Sequence, residues 1–114
     1  MVKLYEAVKT LAEVEYARAS VKFGATNNSS HESFAVLKEE LDEAREENIN
    51  VQILVDRYWS AVKENDMKKQ ADNLKDVYVH SLLAACEFIQ TAAMAHKALK
   101  TIANNGSKNE QGEN

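Results

Sequence analysis

The sequence predicts an all-α protein with four helices in a bundle-like arrangement, the last of them long. The 114 residues include no proline and only three glycines, so few positions interrupt a helix or supply a tight β-turn. Alanine, leucine, glutamate and lysine, all good helix formers, are abundant. Apolar residues recur at intervals of three, four and seven, which is the spacing of one helical face. The length suits a single domain, predicted over residues 1–103.

The first helix is predicted over residues 2–23, before a loop of sequence "GATNNSS". Gly24 is a natural stop, because glycine readily adopts the left-handed conformation found at helix C-termini. The apolar stripe of this helix comprises Leu4, Val8, Leu11, Val14 and Val21.

The second and third helices are predicted on either side of the sequence "NIN", residues 48–50. Ser29 and Glu32 have the spacing of a capping box at the start of the second helix. Asn50 is a candidate N-cap for the third helix, which begins at Val51. The apolar stripe of the second helix comprises Phe34, Leu37, Leu41 and Ala44.

The fourth helix is predicted from Met67 to Ala103, after a short break that Asp66 caps. At 1.5 Å per residue it is about 55 Å long, which is long for a monomeric domain of this size and indicates either a kink or packing of part of the helix against another subunit. Residues 104–114 are polar and contain glycine, and this tail is predicted to be disordered.

Charge and composition exclude several classes of protein. The net charge is −4, whereas nucleic-acid-binding proteins typically have a strongly basic surface. The amino terminus has no signal-peptide pattern, and no apolar run is expected to reach membrane-spanning length, so a cytoplasmic protein without membrane contact is predicted. The single cysteine, Cys86, lies in an apolar segment and is predicted to be a small core residue.

The second predicted helix carries an unusual density of acidic residues. Glu40 and Glu43 flank its apolar stripe, whereas Glu39 lies further towards solvent. One interpretation is a solvated acidic face. The other is a cation site, because like charges spaced three residues apart repel one another unless a cation neutralises them.

A further carboxylate, Glu87, stands in the apolar segment "AACEFIQTAAMA". Ionised carboxylates are rarely buried unless they are paired or bind a metal. One interpretation is a salt bridge to Arg18, Lys22 or Lys38.

The alternative is that Glu87 faces Glu40 and Glu43 across a groove between helices. Together with the amide oxygen of Gln90, these carboxylates would form an all-oxygen cluster. Such a cluster suits a hard cation, Mg²⁺ or Mn²⁺.

The segments "HESFAVLKEELDEAREE" and "AACEFIQTAAMAHKALKTI" resemble the MazG-like all-α nucleoside triphosphate pyrophosphohydrolases, particularly short phage-type members. The family motif Glu-Glu-x-x-Glu matches Glu39, Glu40 and Glu43. Its second motif, Glu-x-x-Asp, corresponds to Glu87 and Gln90, with glutamine in place of aspartate, as in the phage-type pattern E-x-x-Q-x-A-A-M-A. The resemblance extends from about residue 11 to residue 102.

This resemblance implies Mg²⁺-dependent hydrolysis of a (deoxy)nucleoside triphosphate to the monophosphate and pyrophosphate. It assigns Glu40, Glu43 and Glu87 as metal ligands, with Gln90 as a weaker fourth. Glu39 would orient or deprotonate the attacking water. The resemblance also implies a homodimer or homotetramer with active sites near helix–helix interfaces.

Several other residues are candidates for substrate binding, and each has a structural alternative as a surface or core residue. The phosphate-binding candidates are Arg18, Lys22, Lys38 and Lys97, with His31 near the start of the second helix. Trp59 is a candidate for stacking on the base. Two other functions stay open: a catalytically weak nucleotide-binding or metal-binding protein, which Gln90 favours, and a purely structural helical oligomer.

Overall fold

The computed structural model describes residues 2–110, with side chains through Gly106, and consists of three long α-helices. They are α1 (Val2–Phe23), α2 (Ser30–Lys63) and α3 (Met67–Glu110). The described residues contain no β-strand. The all-α prediction is therefore confirmed, and the first helix has its predicted bounds.

The prediction of four helices is wrong, because the second and third predicted helices form one continuous helix, α2. The sequence "NIN" contains asparagine but neither glycine nor proline. Asparagine inside a helix costs at most about 0.7 kcal/mol relative to alanine and leaves the backbone hydrogen bonds intact. Buried residues lie on both sides of this segment, at Ala44 and Leu54, so packing outweighs the weak local preference.

The last helix begins at Met67, as predicted, but does not end at residue 103. It continues seven residues further, to Glu110, through the described part of the predicted disordered tail. A single glycine in a helix costs only about 1 kcal/mol, so Gly106 does not end it. The remaining tail residues, 111–114, lie outside the described residues.

Three helix boundaries form where the sequence predicts them, namely the end of α1 and the starts of α2 and α3. Gly24 has a φ angle of +93°, and its N–H donates to the carbonyl oxygen of Ser20 at 2.8 Å. The hydroxyl of Ser29 accepts the Glu32 N–H at 3.1 Å, which is one half of the predicted capping box. The Glu32 carboxylate accepts the backbone N–H of Asn28 at 3.5 Å. The carboxylate of Asp66 accepts the Lys69 N–H at 3.0 Å at the start of α3.

The chain divides into two compact units, and α2 and α3 contribute to both. Unit 1 comprises Met1–Leu41 and Phe88–Asn114. Within it, the backbone N–H of Asn27 donates to the hydroxyl of Thr101 at 2.9 Å, and the Asn27 side chain donates to Ser33 at 2.8 Å. All three residues are buried. These bonds hold the loop between α1 and α2 against α3.

Unit 2 comprises Asp42–Glu87 and is a helical hairpin. Its buried apolar residues are Ala44, Leu54 and Ala61. Cys86, predicted to be a core residue, is exposed. Consecutive helical residues point about 100° apart, so Cys86 and its neighbour Glu87, which contacts α2, cannot both face the hairpin interior.

Large apolar side chains are exposed along all three helices. The predicted apolar stripe of α1 is between 40% and 91% exposed in the single chain. By length and composition alone, α3 could also cross a membrane, contrary to the expectation from sequence. Its most apolar stretch has a mean hydropathy of 1.2 and is 6% buried, and core helices of soluble proteins can be equally long and apolar.

Candidate functional site

Two carboxylates meet within unit 2, Glu43 on α2 and Glu87 on α3. An oxygen atom of one lies within 4.8 Å of an oxygen atom of the other. Burial, a hydrogen bond with Glu43 and the negative charges of Glu43 and Glu47 raise the pKa of Glu87 above its ordinary value of 4.5. A salt bridge to lysine or arginine would lower this pKa instead. The hairpin thus brings together one residue from each of the two acidic motifs.

Two residues beside this pair were not among the predicted site residues. The Nδ1 atom of His80 lies 2.8 Å from a carboxylate oxygen of Glu47. Glu47 follows Glu43 by one turn of α2, and His80 precedes Glu87 by seven residues, so each lies on the same helical face as its neighbour in the pair. These spacings are readable in the sequence. The sequence alone, however, does not show that the faces carrying Glu47 and His80 meet.

The chemistry of this donor set fits a hard divalent cation. Two carboxylates this close repel one another when both are ionised, and a proton or a bound cation relieves that repulsion. Mg²⁺ prefers oxygen ligands and binds through one or two carboxylates while keeping several waters. In sequence, Glu40 precedes Glu43 by three residues in α2, and Gln90 follows Glu87 by three residues in α3.

Unit 1 contains a cavity of about 600 Å³ between its three helical segments. Four predicted site residues line it, namely Glu39, Glu40, Gln90 and Lys97. The remaining lining is apolar at Ala19, Phe23, Val36, Ala93 and Met94, and polar at Glu15, Asn27 and Glu32. Cavities that bind small molecules are typically about 300–1,000 Å³ and have this mixed character.

Most of the other basic candidates have partners of their own on the surface. Arg18 pairs with Glu15, which is on the preceding turn of α1. The ammonium of Lys22 lies 5.1 Å from the centre of the Phe23 ring. Both His31 and Lys38 are exposed on α2, and neither lines the cavity. Only Lys97 among these candidates combines burial with a place in the cavity wall.

The predicted base-stacking residue, Trp59, lies in unit 2 and does not line the unit 1 cavity. It is exposed, and the Lys63 ammonium lies 5.6 Å from the centre of its ring. The aromatic residue in the cavity wall is Phe23 instead. The sequence offers little signal for this role, because Phe23 is simply the last residue of α1.

Comparison with known proteins does not assign a family or a function to this site. No protein-family model matches the chain, and no curated protein or solved structure is significantly similar to it. A functional conclusion therefore depends on the carboxylate pair, the cavity and the two acidic motifs.

Proposed function

We propose that this protein is a Mg²⁺-dependent nucleoside triphosphate pyrophosphohydrolase of MazG-like type. The observation that carries the proposal is the approach of Glu43 and Glu87 across the unit 2 hairpin. These residues come from the two separate motifs that the family resemblance uses. Their proximity, with the raised pKa of Glu87, supports a cation-binding site at this position.

The proposed metal ligands are Glu40, Glu43 and Glu87, with Gln90 as a weaker fourth. When bound, Mg²⁺ (or Mn²⁺) would neutralise phosphate charge and lower the pKa of a coordinated water. Gln90 is neutral where the family motif has aspartate, so this site carries one negative charge fewer. We expect weaker metal binding as a result.

Glu39 is the proposed catalytic residue, and it lines the unit 1 cavity. A carboxylate in this position can accept a hydrogen bond from a water molecule and orient the water oxygen towards phosphorus. Hydrolysis between the α and β phosphates places the hydroxyl group of water on the monophosphate. The proton passes to the solvent or to the departing pyrophosphate.

We also propose that the protein is a homodimer or homotetramer in the cytoplasm, without a nucleic-acid or membrane partner. Exposed apolar residues support self-association. In unit 2 they include Ile49, Ile53, Val55, Trp59, Met67, Leu74, Tyr78, Val79, Leu82 and Leu83. The buried apolar residues of the same unit are only three, and two of these are alanine. Oligomer interfaces commonly cover such surfaces.

Two alternative functions have one observation each in their favour. The neutral Gln90 favours a catalytically weak protein that binds nucleotide or metal without turnover. The large exposed apolar surface favours a purely structural helical oligomer. Only the structural alternative predicts that Mg²⁺ and nucleotides leave the stability of the protein unchanged.

The test is an assay of pyrophosphate release from each common NTP and dNTP, with Mg²⁺, with Mn²⁺ and with EDTA. We expect metal-dependent release by the wild type. Replacing a metal ligand, as in Glu43→Gln or Glu87→Gln, should lower the rate by about two orders of magnitude or more. Glu46→Gln is the matched control, since Glu46 is an exposed glutamate on α2.

The control variant should retain the wild-type rate within about twofold, since a surface charge distant from the substrate contributes little to the transition state. Folded wild-type protein that releases no pyrophosphate under any condition would contradict the proposal. An unchanged rate and Mg²⁺ response in Glu87→Gln would contradict it equally.

A further inference from the structure

Lys97 is a buried basic residue in the wall of the unit 1 cavity. It lies on α3 and is 6% exposed. Lysine is almost never buried to this extent unless its ammonium group has a partner, because removing the charge from water is costly. The stem of Lys97 is therefore enclosed, and its ammonium must reach either a partner or accessible space.

The described part of the chain gives the Lys97 ammonium no hydrogen bond or ion pair. The bond formed by this residue outside the helical backbone pattern is at its carbonyl oxygen, which accepts the Thr101 hydroxyl at 2.8 Å. Among the described residues, every fully buried side-chain nitrogen or oxygen has a partner. The ammonium, having none, must keep some accessible surface, and the cavity is the space that Lys97 lines.

Helix geometry indicates where in the cavity the ammonium lies. Side chains on a helix lean towards its N-terminus, which favours extension of the Lys97 stem over Ala93 towards Gln90. Gln90 precedes Lys97 by seven residues and shares its face of α3. Ala93, between them, is small and buried, and all three residues line the cavity. A side chain that follows this preference extends along the cavity wall from Lys97 towards Gln90.

The lining selects the kind of anion that Lys97 can accept. Four carboxylates, Glu15, Glu32, Glu39 and Glu40, share the cavity with this single lysine. Free inorganic anions are repelled by such a surface. A phosphate group attached to a larger ligand can still bind, because the apolar wall at Phe23, Val36 and Met94 supplies further contact.

We infer that Lys97 binds a phosphate group of a ligand whose remaining part occupies the unit 1 cavity. Identification of that ligand as a nucleoside triphosphate rests on the proposed function. Phosphate binding by Lys97 rests instead on its burial, its lack of an internal partner and its place in the wall. The two ideas can therefore fail separately.

Titration calorimetry with non-hydrolysable probes tests this inference. The probes are the four α,β-imido deoxynucleoside triphosphates and tripolyphosphate, each with Mg²⁺ and with EDTA. The proteins are the wild type, Lys97→Met and the control Lys100→Met, which removes an exposed lysine three residues further along α3. Methionine preserves most of the buried stem, and thermal unfolding of each variant without ligand verifies that it is folded.

At least one nucleotide analogue should bind the wild type more tightly than tripolyphosphate does. Lys97→Met should weaken that binding by about 10- to 100-fold, the usual effect of losing a charge-assisted hydrogen bond, and should reduce the rise in Tm that the analogue produces. Lys100→Met should leave Kd within about twofold of the wild-type value.

Equal affinity of wild type and Lys97→Met would overturn the inference even if the protein hydrolyses nucleotides. So would equal losses in the two lysine variants, or no binding of any probe to the wild type. Conversely, binding that depends on Lys97 in a protein without pyrophosphohydrolase activity would support the inference and refute the proposed reaction. Tighter binding of tripolyphosphate than of every analogue would show that the apolar wall does not contribute to binding. That result would count against the inference.

Discussion

Three observations concern one residue, Glu87: its place in a sequence motif, its approach to Glu43 and its raised pKa. Its partial burial disfavours its charged form, and Glu43 and Glu47 disfavour that form further. Glu87 therefore holds its proton to a higher pH in the folded protein than in the unfolded chain. Below pH 4.5 the proton is bound in both states, so Glu87 contributes no pH dependence there.

Between pH 4.5 and the raised pKa, the unfolded state binds fewer protons than the native state. The contribution of Glu87 to the free energy of unfolding therefore falls as pH rises through this window, then stays constant. Glu87→Gln should remove this contribution and make the protein more stable than the wild type at neutral pH. Urea unfolding of both proteins from pH 4 to pH 8 measures the difference.

Mg²⁺ should raise the wild-type stability at neutral pH and have a smaller effect on the variant, which lacks one carboxylate. A stability difference that does not change with pH would show that Glu43 and Glu47 do not crowd Glu87. Greater stability of the wild type at neutral pH would reverse the predicted sign.

At the scale of the element, α2 is where reasoning from the sequence and the structure diverge. Gly24, Ser29 and Asp66 were correctly identified because each acts through its own backbone or side-chain hydrogen bond. Asn50 was assigned as an N-cap by the same logic, but asparagine also tolerates a helix interior. A choice between cap and interior depends on packing over several turns, which the local sequence does not contain.

The substitution Asn50→Ala distinguishes these two structures by its sign. In a continuous α2, alanine improves helix propensity, and the protein should be stabilised by up to about 0.7 kcal/mol. If Asn50 capped a separate helix, its loss would destabilise the protein by about 1 kcal/mol. Chemical denaturation of wild type and variant measures the change, with Asn48→Ala as a control that should be stabilised in the same way.

For the candidate site too, the sequence predicts some features, and others depend on how the helices pack. The spacing of Glu39, Glu40 and Glu43 on one helix, and of Glu87 and Gln90 on another, was sufficient to propose that they act together. Which lysine enters the cavity was not predictable, because Lys22, Lys38 and Lys97 look alike in sequence. Burial separates them, and burial depends on how α1, α2 and α3 pack within unit 1.

At the scale of the whole molecule, the single chain has very little apolar core. Among the residues whose side chains the structure describes, the buried apolar ones are Ala44, Leu54, Ala61 and Ala93, whereas more than twenty large apolar residues are exposed. Burying a large apolar side chain stabilises a protein by about 1.5–3 kcal/mol, so a surface of this kind favours association with further copies.

We therefore expect light scattering of the purified protein to give two or four times the mass of one chain. Thermal stability should increase with protein concentration, because association stabilises the folded state by mass action. Trp59→Glu places a charge in the exposed apolar surface of unit 2 and should reduce the measured mass. Gln52→Glu, at an exposed polar position of α2, is the control. A monomer at all concentrations, with unchanged Tm, would contradict the prediction.

The hydrogen bond between Asn27 and Thr101 joins positions 74 residues apart and has a consequence for folding kinetics. Unit 2 is contiguous in sequence, and its contacts close around one short turn, so it can form early. Unit 1 combines residues from both ends of the chain and must bear the entropy of closing a long loop. During synthesis on the ribosome, unit 1 therefore cannot be completed until the C-terminal half of α3 has emerged. The hairpin, when formed first, shortens the loop that remains to be closed.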